Sequence, residues 1–234
     1  MPSETVETNL IRLQTSDDHH LDVWEAKPVT HPPKAGLIVI QEIFGLTDYI
    51  RTICTQLAQT GYHVMAPALF DRIQHDAILP YDQDGLDKGL ELRAKLGKEA
   101  PLKDIEACLK ALRTENSAFP VGVIGFCWGG YLAWRSAQSL PINAASAWYG
   151  GDIAKIASPK PRCPVQLHFG DNDSYIPASD WDIIRTACPD IPLYIYKNAE
   201  HGFGCTDRPS YKAEACELAW ERTLSFFAEH LQQK

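Results

Sequence analysis

"VGVIGFCWGG", residues 121–130, runs from a continuous apolar stretch straight into a cysteine framed by glycines. Residues 121–125 have the unbroken aliphatic character of a strand buried on both faces, as in a parallel sheet covered by helices. Gly125-Phe126-Cys127-Trp128-Gly129 then has the form of a sharp strand-to-helix turn. Side chains on either side of such a turn would clash, so glycines flank it and the central residue is pushed into the open. At the start of the following helix Cys127 feels the positive end of the helix dipole, which favours thiolate over thiol. The backbone N–H of Trp128 points toward the same spot, where it can hold a developing oxyanion. A cysteine among packing glycines also serves as a small apolar filler, so the nucleophile reading needs partners elsewhere in the chain.

Outward from this stretch the same strand signature recurs at 35–40, 62–66, 144–149, 165–169 and 193–196. Between these runs the apolar period becomes helical: Ile50, Ile53, Cys54 and Leu57 share one face, as do Leu102, Ile105, Leu109 and Leu112. Ala213, Cys216, Trp220, Leu224, Phe227 and Leu231 mark a long amphipathic helix at the end of the chain. Two short patterns, 10–15 and 21–26, flank "SDDHH" and predict an N-terminal antiparallel hairpin. The expectation is an α/β fold with a mostly parallel central sheet and helices on both faces. With no repeat, low-complexity tract or linker, residues 1–234 read as one domain. Residues 68–84, "ALFDRIQHDAILPYDQD", exceed an ordinary connection and form a candidate rim or lid over a pocket.

Two partners for Cys127 follow the later strands. The loop after 165–169, "GDNDSYIP", carries Asp171 and Asp173, and "NAEHGFG" carries His201 beside glycines that let the loop bend back. Nucleophile, acid and histidine thus occur in the chain order of α/β-hydrolases, each at the C-terminal end of a predicted strand, where open α/β sheets place their ligands. His201 would take the proton of Cys127 and later return it to the leaving oxygen, while a carboxylate fixes the imidazole tautomer. Spacing alone does not separate Asp171 from Asp173.

Composition narrows the partners. The chain of 234 residues is 45% hydrophobic and 22% charged with a net charge of −8, and no basic run gathers the potential that nucleic acid or an anionic membrane requires. No apolar run approaches the ~18 residues of a membrane span, and the first residues lack a basic leader with an apolar stretch. A cytoplasmic protein, monomeric or a small homo-oligomer, acting on a small molecule is the expectation. The seven cysteines are odd in number with no C-x-x-C pair, and the eight histidines do not fall at ligand spacing from them. They read as reduced thiols, with no metal site and no cofactor.

Taken together, "QEIFGL" (41–46), "GFCWGG" (125–130), "GDNDSYIP" (170–177) and "EHGF" (200–203) resemble the dienelactone hydrolase (carboxymethylenebutenolidase) family of α/β-hydrolases, over roughly residues 10–230. The resemblance implies a cysteine hydrolase with the triad Cys127, Asp173 and His201, opening a lactone or ester through an acyl-enzyme. It implies that Glu42 contacts the thiol and joins in its activation, and that Ile43 supplies a second oxyanion N–H beside that of Trp128. It also suggests Phe44, Lys88, Tyr149 and Phe203 as substrate contacts, Tyr149 belonging to the aromatic pair Trp148-Tyr149 at a pocket wall. Members that act on dienelactone hold its carboxylate with two arginines. Here one of those positions is Cys205 and the other region offers Gly85 or Lys88, with Arg72 and Arg208 as further cations. The alternatives are a thioesterase or acyl transferase using the same triad, since an acyl-cysteine can be intercepted by acceptors other than water, and a non-catalytic binding protein on the same fold.

Overall fold

The computed structural model describes residues 4–114 and 116–232. They gather into two compact units, Met1–Gly122 with Leu231–Lys234, and Val123–His230.

The first unit opens with a hairpin of β1 (Val6–Gln14) and β2 (His20–Pro28), followed by β3 (Ala35–Ile40), α1 (Asp48–Gln59) and β4 (Tyr62–Pro67). After a 3-10 turn at Leu69–Arg72 come α2 (Gln83–Leu96) and α3 (Ala100–Leu112). The strand order is β1-β2-β4-β3, antiparallel as far as β4 and parallel between β4 and β3. All six residues of β3 are buried, because α1 and α3 both pack on the β3 and β4 pair. α1 turns Tyr49, Ile50, Ile53, Cys54, Leu57 and Ala58 inward, at the spacing of three and four that one helix face requires.

The second unit begins within β5 (Val121–Phe126) and holds α4 (Trp128–Ser139), β6 (Ala144–Trp148), β7 (Val165–Gly170), α5 (Ala178–Ala187), β8 (Leu193–Tyr196) and α6 (Ala213–His230). The strands lie in the order β5-β6-β7-β8, and β6, β7 and β8 pair in parallel. β5, β6 and β7 are buried at every position, with α4 packed on β6 and α6 on β6 and β7. The mixed α/β architecture with a mostly parallel strand arrangement and an N-terminal hairpin is the one the alternating strand and helix periods predict.

The long stretch 68–84 is more structured than its composition suggests. Besides the 3-10 turn, it is held to the loop after β3: the Leu79 N–H donates to the Phe44 carbonyl (2.8 Å), and the Tyr81 ring lies 4.7 Å from that of Phe44 with its hydroxyl 2.8 Å from Thr47 Oγ1. The last residues of the stretch already belong to α2, whose N-cap Asp82 accepts from the Gly85 N–H. No described helix is long and apolar enough to cross a membrane.

Candidate active site

β6, β7 and β8 run parallel and so point their C-terminal ends the same way, and the loops after them and after β5 carry the expected residues of the second unit. β5 delivers Cys127, β6 delivers Tyr149, β7 delivers Asp173 and β8 delivers His201. Cys127 is the N-cap of α4 with φ 55° and ψ −117°, a positive φ rare for a residue with a side chain. The turn is so tight that a Cβ on Gly125 would overlap the Gly129 carbonyl. The elbow is pinned from β6, the Cys127 N–H donating to the Trp148 carbonyl at 3.0 Å. Trp128 begins the helix, and its N–H is among the first four that an α-helix leaves without an intrahelical acceptor.

The Asp and His loops are laced together. The Asp171 N–H donates to the Tyr196 carbonyl (3.0 Å), the Asn172 N–H to the Ala199 carbonyl (3.0 Å), and the Asn198 N–H to Asp171 Oδ1 (2.6 Å). Asp171 is thus a staple between loops. Asp173, two residues on, sends Oδ2 to 2.8 Å from His201 Nδ1, while its Oδ1 accepts the N–H of Tyr175 at 2.8 Å. On the other side of the imidazole, Nε2 lies 3.1 Å from Cys127 Sγ. Among the sequence-expected residues the structure therefore brings Cys127, His201 and Asp173 into one chain of hydrogen-bonding groups, with Asp171 left to the backbone.

The Asp173 side chain is wholly buried and the imidazole nearly so. Burial by itself would lower the pKa of His201, but a Cys127 thiolate and the hydrogen-bonded Asp173 carboxylate outweigh it and hold the value well above that of a free imidazole. Five of the other thiols have no such setting: burial pushes Cys54, Cys108, Cys163, Cys188 and Cys216 up, away from the thiolate form. Cys127 itself is partly exposed.

Two aromatic rings stand edge-on to the imidazole, Tyr149 at 5.3 Å and Tyr175 at 5.1 Å. Tyr175 is 64% exposed, a large ring left in solvent at the triad, and the sequence reading passed over it. Its signal lay in the motif itself, two residues beyond Asp173 in "GDNDSYIP". Phe203 has no exposed surface; it stacks on Trp148 (5.7 Å, 21°) and backs Tyr149 at 5.3 Å. Arg208 lays its guanidinium over Gly202, next to His201.

The remaining expected residues lie in the first unit. Glu42, Ile43 and Phe44 follow β3 directly and are buried. Lys88 stands on the surface of α2, 3.0 Å from Glu91. Arg72 is occupied by Asp104 (2.8 Å) and Asp17 (2.9 Å). Among the described residues, Asp22, Asp71 and His75 gather ligand-type atoms within 4.8 Å of one another. These groups bond each other, Asp71 Oδ2 accepting the Asp22 N–H (2.9 Å) and His75 Nε2 lying 2.9 Å from Asp22 Oδ2.

Comparison with known proteins agrees along the length of the chain. Residues 21–231 match the model of the dienelactone hydrolase family. The carboxymethylenebutenolidase of Pseudomonas putida is 30% identical over 234 residues, covering 97% of this chain and 98% of that protein. A Yersinia pestis protein with a provisional carboxymethylenebutenolidase name is 34% identical over 236 residues, covering 92% of this chain and 86% of its own length. A crystal structure from Klebsiella pneumoniae, provisionally a dienelactone hydrolase, superposes with a TM-score of 0.84 at 28% identity and covers 96% of this chain and 99% of that one. The chain belongs to the dienelactone hydrolase family and has its α/β-hydrolase fold.

Proposed function

We propose that this protein hydrolyses a lactone or carboxylic ester through an acyl-Cys127 intermediate, as a single α/β-hydrolase domain over residues 1–234. The observation that carries the reading is the run Cys127 Sγ, His201 Nε2, His201 Nδ1, Asp173 Oδ2, with separations of 3.1 and 2.8 Å. Both lie within the reach of proton transfer and of tautomer control.

With the proton shared by the pair resting on His201 Nε2, the Cys127 thiolate attacks the carbonyl carbon, forming the C–S bond as the π pair moves to oxygen. Asp173 keeps its hold on Nδ1–H, so Nε2 is the nitrogen that exchanges the proton and the imidazolium is stabilised while it exists. The oxyanion collapses, the C–O bond to the leaving group breaks, and His201 protonates the departing oxygen. Water then repeats the sequence: His201 removes its proton, the C–S bond breaks and the free acid leaves. The Trp128 N–H at the head of α4 is the oxyanion donor from this unit. The family likeness adds the Ile43 N–H as a second donor and Glu42 as a partner in thiol activation. Cys205 stands where dienelactone-cleaving relatives have arginine, so whether the substrate bears a carboxylate is decided by the substrate screen.

The test is a screen of lactones and activated esters, with and without a free carboxylate, against wild type, Cys127→Ala and Glu42→Gln. Cys127→Ala should abolish turnover, iodoacetamide should inactivate wild type in proportion to labelling at Cys127, and Glu42→Gln should slow both reactions of the thiol. Wild-type turnover by Cys127→Ala would sink the nucleophile assignment. Competing alcohols and amines added to the same assays distinguish hydrolysis from acyl transfer, since hydrolysis leaves only free acid.

A further inference from the structure

Behind the triad the second unit buries a set of polar side chains that the reaction does not use. Ser146, Trp148, Gln166, His168 and Thr223 are each at most 1% exposed. Thr223 comes from the middle of α6, and its hydroxyl faces all the others: Trp148 Nε1 at 3.2 Å, Gln166 Nε2 at 3.3 Å, His168 Nε2 at 3.3 Å and Ser146 Oγ at 3.4 Å.

A hydroxyl has one proton and two lone pairs. The Trp148 indole and the Gln166 amide nitrogen can only donate, so they occupy both lone pairs and leave the Thr223 proton to be given away. Burial keeps His168 neutral by holding its pKa down to about 3, with the Arg222 charge adding to the effect. A proton on His168 Nε2 would point at an oxygen already filled. The proton therefore sits on Nδ1 and is donated to the Tyr196 hydroxyl at 2.8 Å, and Nε2 accepts from Thr223. Ser146 receives the second hydrogen of the Gln166 amide at 3.2 Å.

The residue this network fixes is Trp148. Its carbonyl accepts the Cys127 N–H, and its indole stacks on Phe203, two residues past His201. The ring fills the space above Gly204, where a Cβ would come within 2.8 Å of it. On the same strand the Tyr149 N–H donates to the His168 carbonyl at 2.7 Å, holding the ring that lies edge-on to His201. The indole also lies 5.4 Å from the ring of Phe126, the residue before Cys127, so one buried side chain packs against neighbours of both the nucleophile and the base.

We infer that Thr223 and Trp148 are positioning residues for the triad: the Thr223 hydroxyl locks the Trp148 indole, and Trp148 sets the approach of Cys127 to His201. The inference rests on the reading of Cys127 and His201 as nucleophile and base. Thr223→Val keeps the shape and removes the hydrogen bonding, whereas Thr223→Ser keeps the hydroxyl. In protein shown by circular dichroism to be folded at the assay temperature, Thr223→Val should lower kcat on an activated ester about tenfold or more while KM stays within about twofold, since a misplaced reacting pair loses rate rather than binding. Alkylation of Cys127 should slow in parallel, and Thr223→Ser should return kcat to within about twofold of wild type. Wild-type kcat in folded Thr223→Val overturns the inference, as does a Thr223→Ser variant equally impaired. Should Thr223→Val not fold, Trp148→Phe carries the test, because it keeps a ring against Phe203 and loses the N–H; unchanged kcat there overturns the inference too. Cys127→Ala run alongside separates two failures. Full turnover by that variant overturns the hydrolase reading, while a dead Cys127→Ala beside an unimpaired Thr223→Val overturns the positioning role alone.

Discussion

His201 is a nearly buried imidazole held between a sulfur and a carboxylate, and these two neighbours raise its hold on the proton. Because its value in the fold is raised above the ordinary histidine value of about 6.5, the folded protein holds this proton more tightly than the unfolded chain does. The stabilisation is complete below about pH 6.5 and disappears as pH climbs through the raised value. Denaturation of wild type and His201→Gln across pH 6 to 10 should show wild type's advantage shrinking toward alkaline pH, and a constant or growing advantage would contradict the assignment. At this scale the meeting of Cys127 with His201 is legible from glycine context and chain order taken together, not from either residue by itself. The choice between Asp171 and Asp173 was not, because both belong to one loop and only folding reveals that the Asn198 N–H takes the first. Tyr175 escaped notice because an exposed tyrosine in a turn carries no periodic signal.

The loops after β7 and β8 approach so closely that Gly170 has no room for a side chain; a Cβ there would overlap the Ala199 carbonyl. Gly170→Ala must push the His201 loop away from Asp173, and displacements near 1 Å can cost ~100-fold in rate. We expect a loss of that order in kcat/KM together with a lower melting temperature. Gly151→Ala, which meets nothing within 4 Å, serves as the control and should stay near wild type on both measures. If both variants match wild type, the close approach does not govern the site. Elements were legible in proportion to their burial. β3 and β5 announced themselves because every position is apolar and enclosed, and β6 and β7 because apolar residues flank the buried Ser146, Gln166 and His168 in a fully enclosed run. The first residues of β1 did not, since residues 7–9 are polar and exposed, and α5 was missed because Ile184 is its one buried residue. The 68–84 stretch was unreadable because backbone and ring contacts hold it, and these leave no pattern in composition.

Across the first unit, distant parts of the chain are tied by Arg72. Its guanidinium joins Asp17 in the β1–β2 turn to Asp104 on α3, whose side chain has no exposed surface, and Lys103 adds a second contact to Asp17 at 3.1 Å. Removing the arginine leaves a buried carboxylate with its main cationic partner gone, a loss of about 3–5 kcal/mol. Arg72→Met should show that loss in chemical denaturation, and adding Asp104→Leu should restore much of it, since replacing both members of a buried pair by apolar groups is close to neutral. A single variant of wild-type stability would show that the pair contributes little. No sequence reading could assign Arg72 this role. Its partners lie 55 and 32 residues away, and a lone arginine in a loop reads as a surface charge.

The backbone of Cys127 has a thermodynamic consequence separate from its chemistry. Holding a residue with a side chain at φ 55° and ψ −117° stores on the order of 1–3 kcal/mol of conformational strain, which the surrounding fold must absorb. Glycine relieves it, at an unfolded-chain entropy cost of about 0.5–1 kcal/mol. Cys127→Gly should therefore unfold at a higher denaturant concentration than Cys127→Ala, although neither turns over substrate. An alanine variant as stable as the glycine one would mean that the torsion is not strained. If the order holds, the proposed thiol chemistry at this position comes with a backbone torsion that glycine would release.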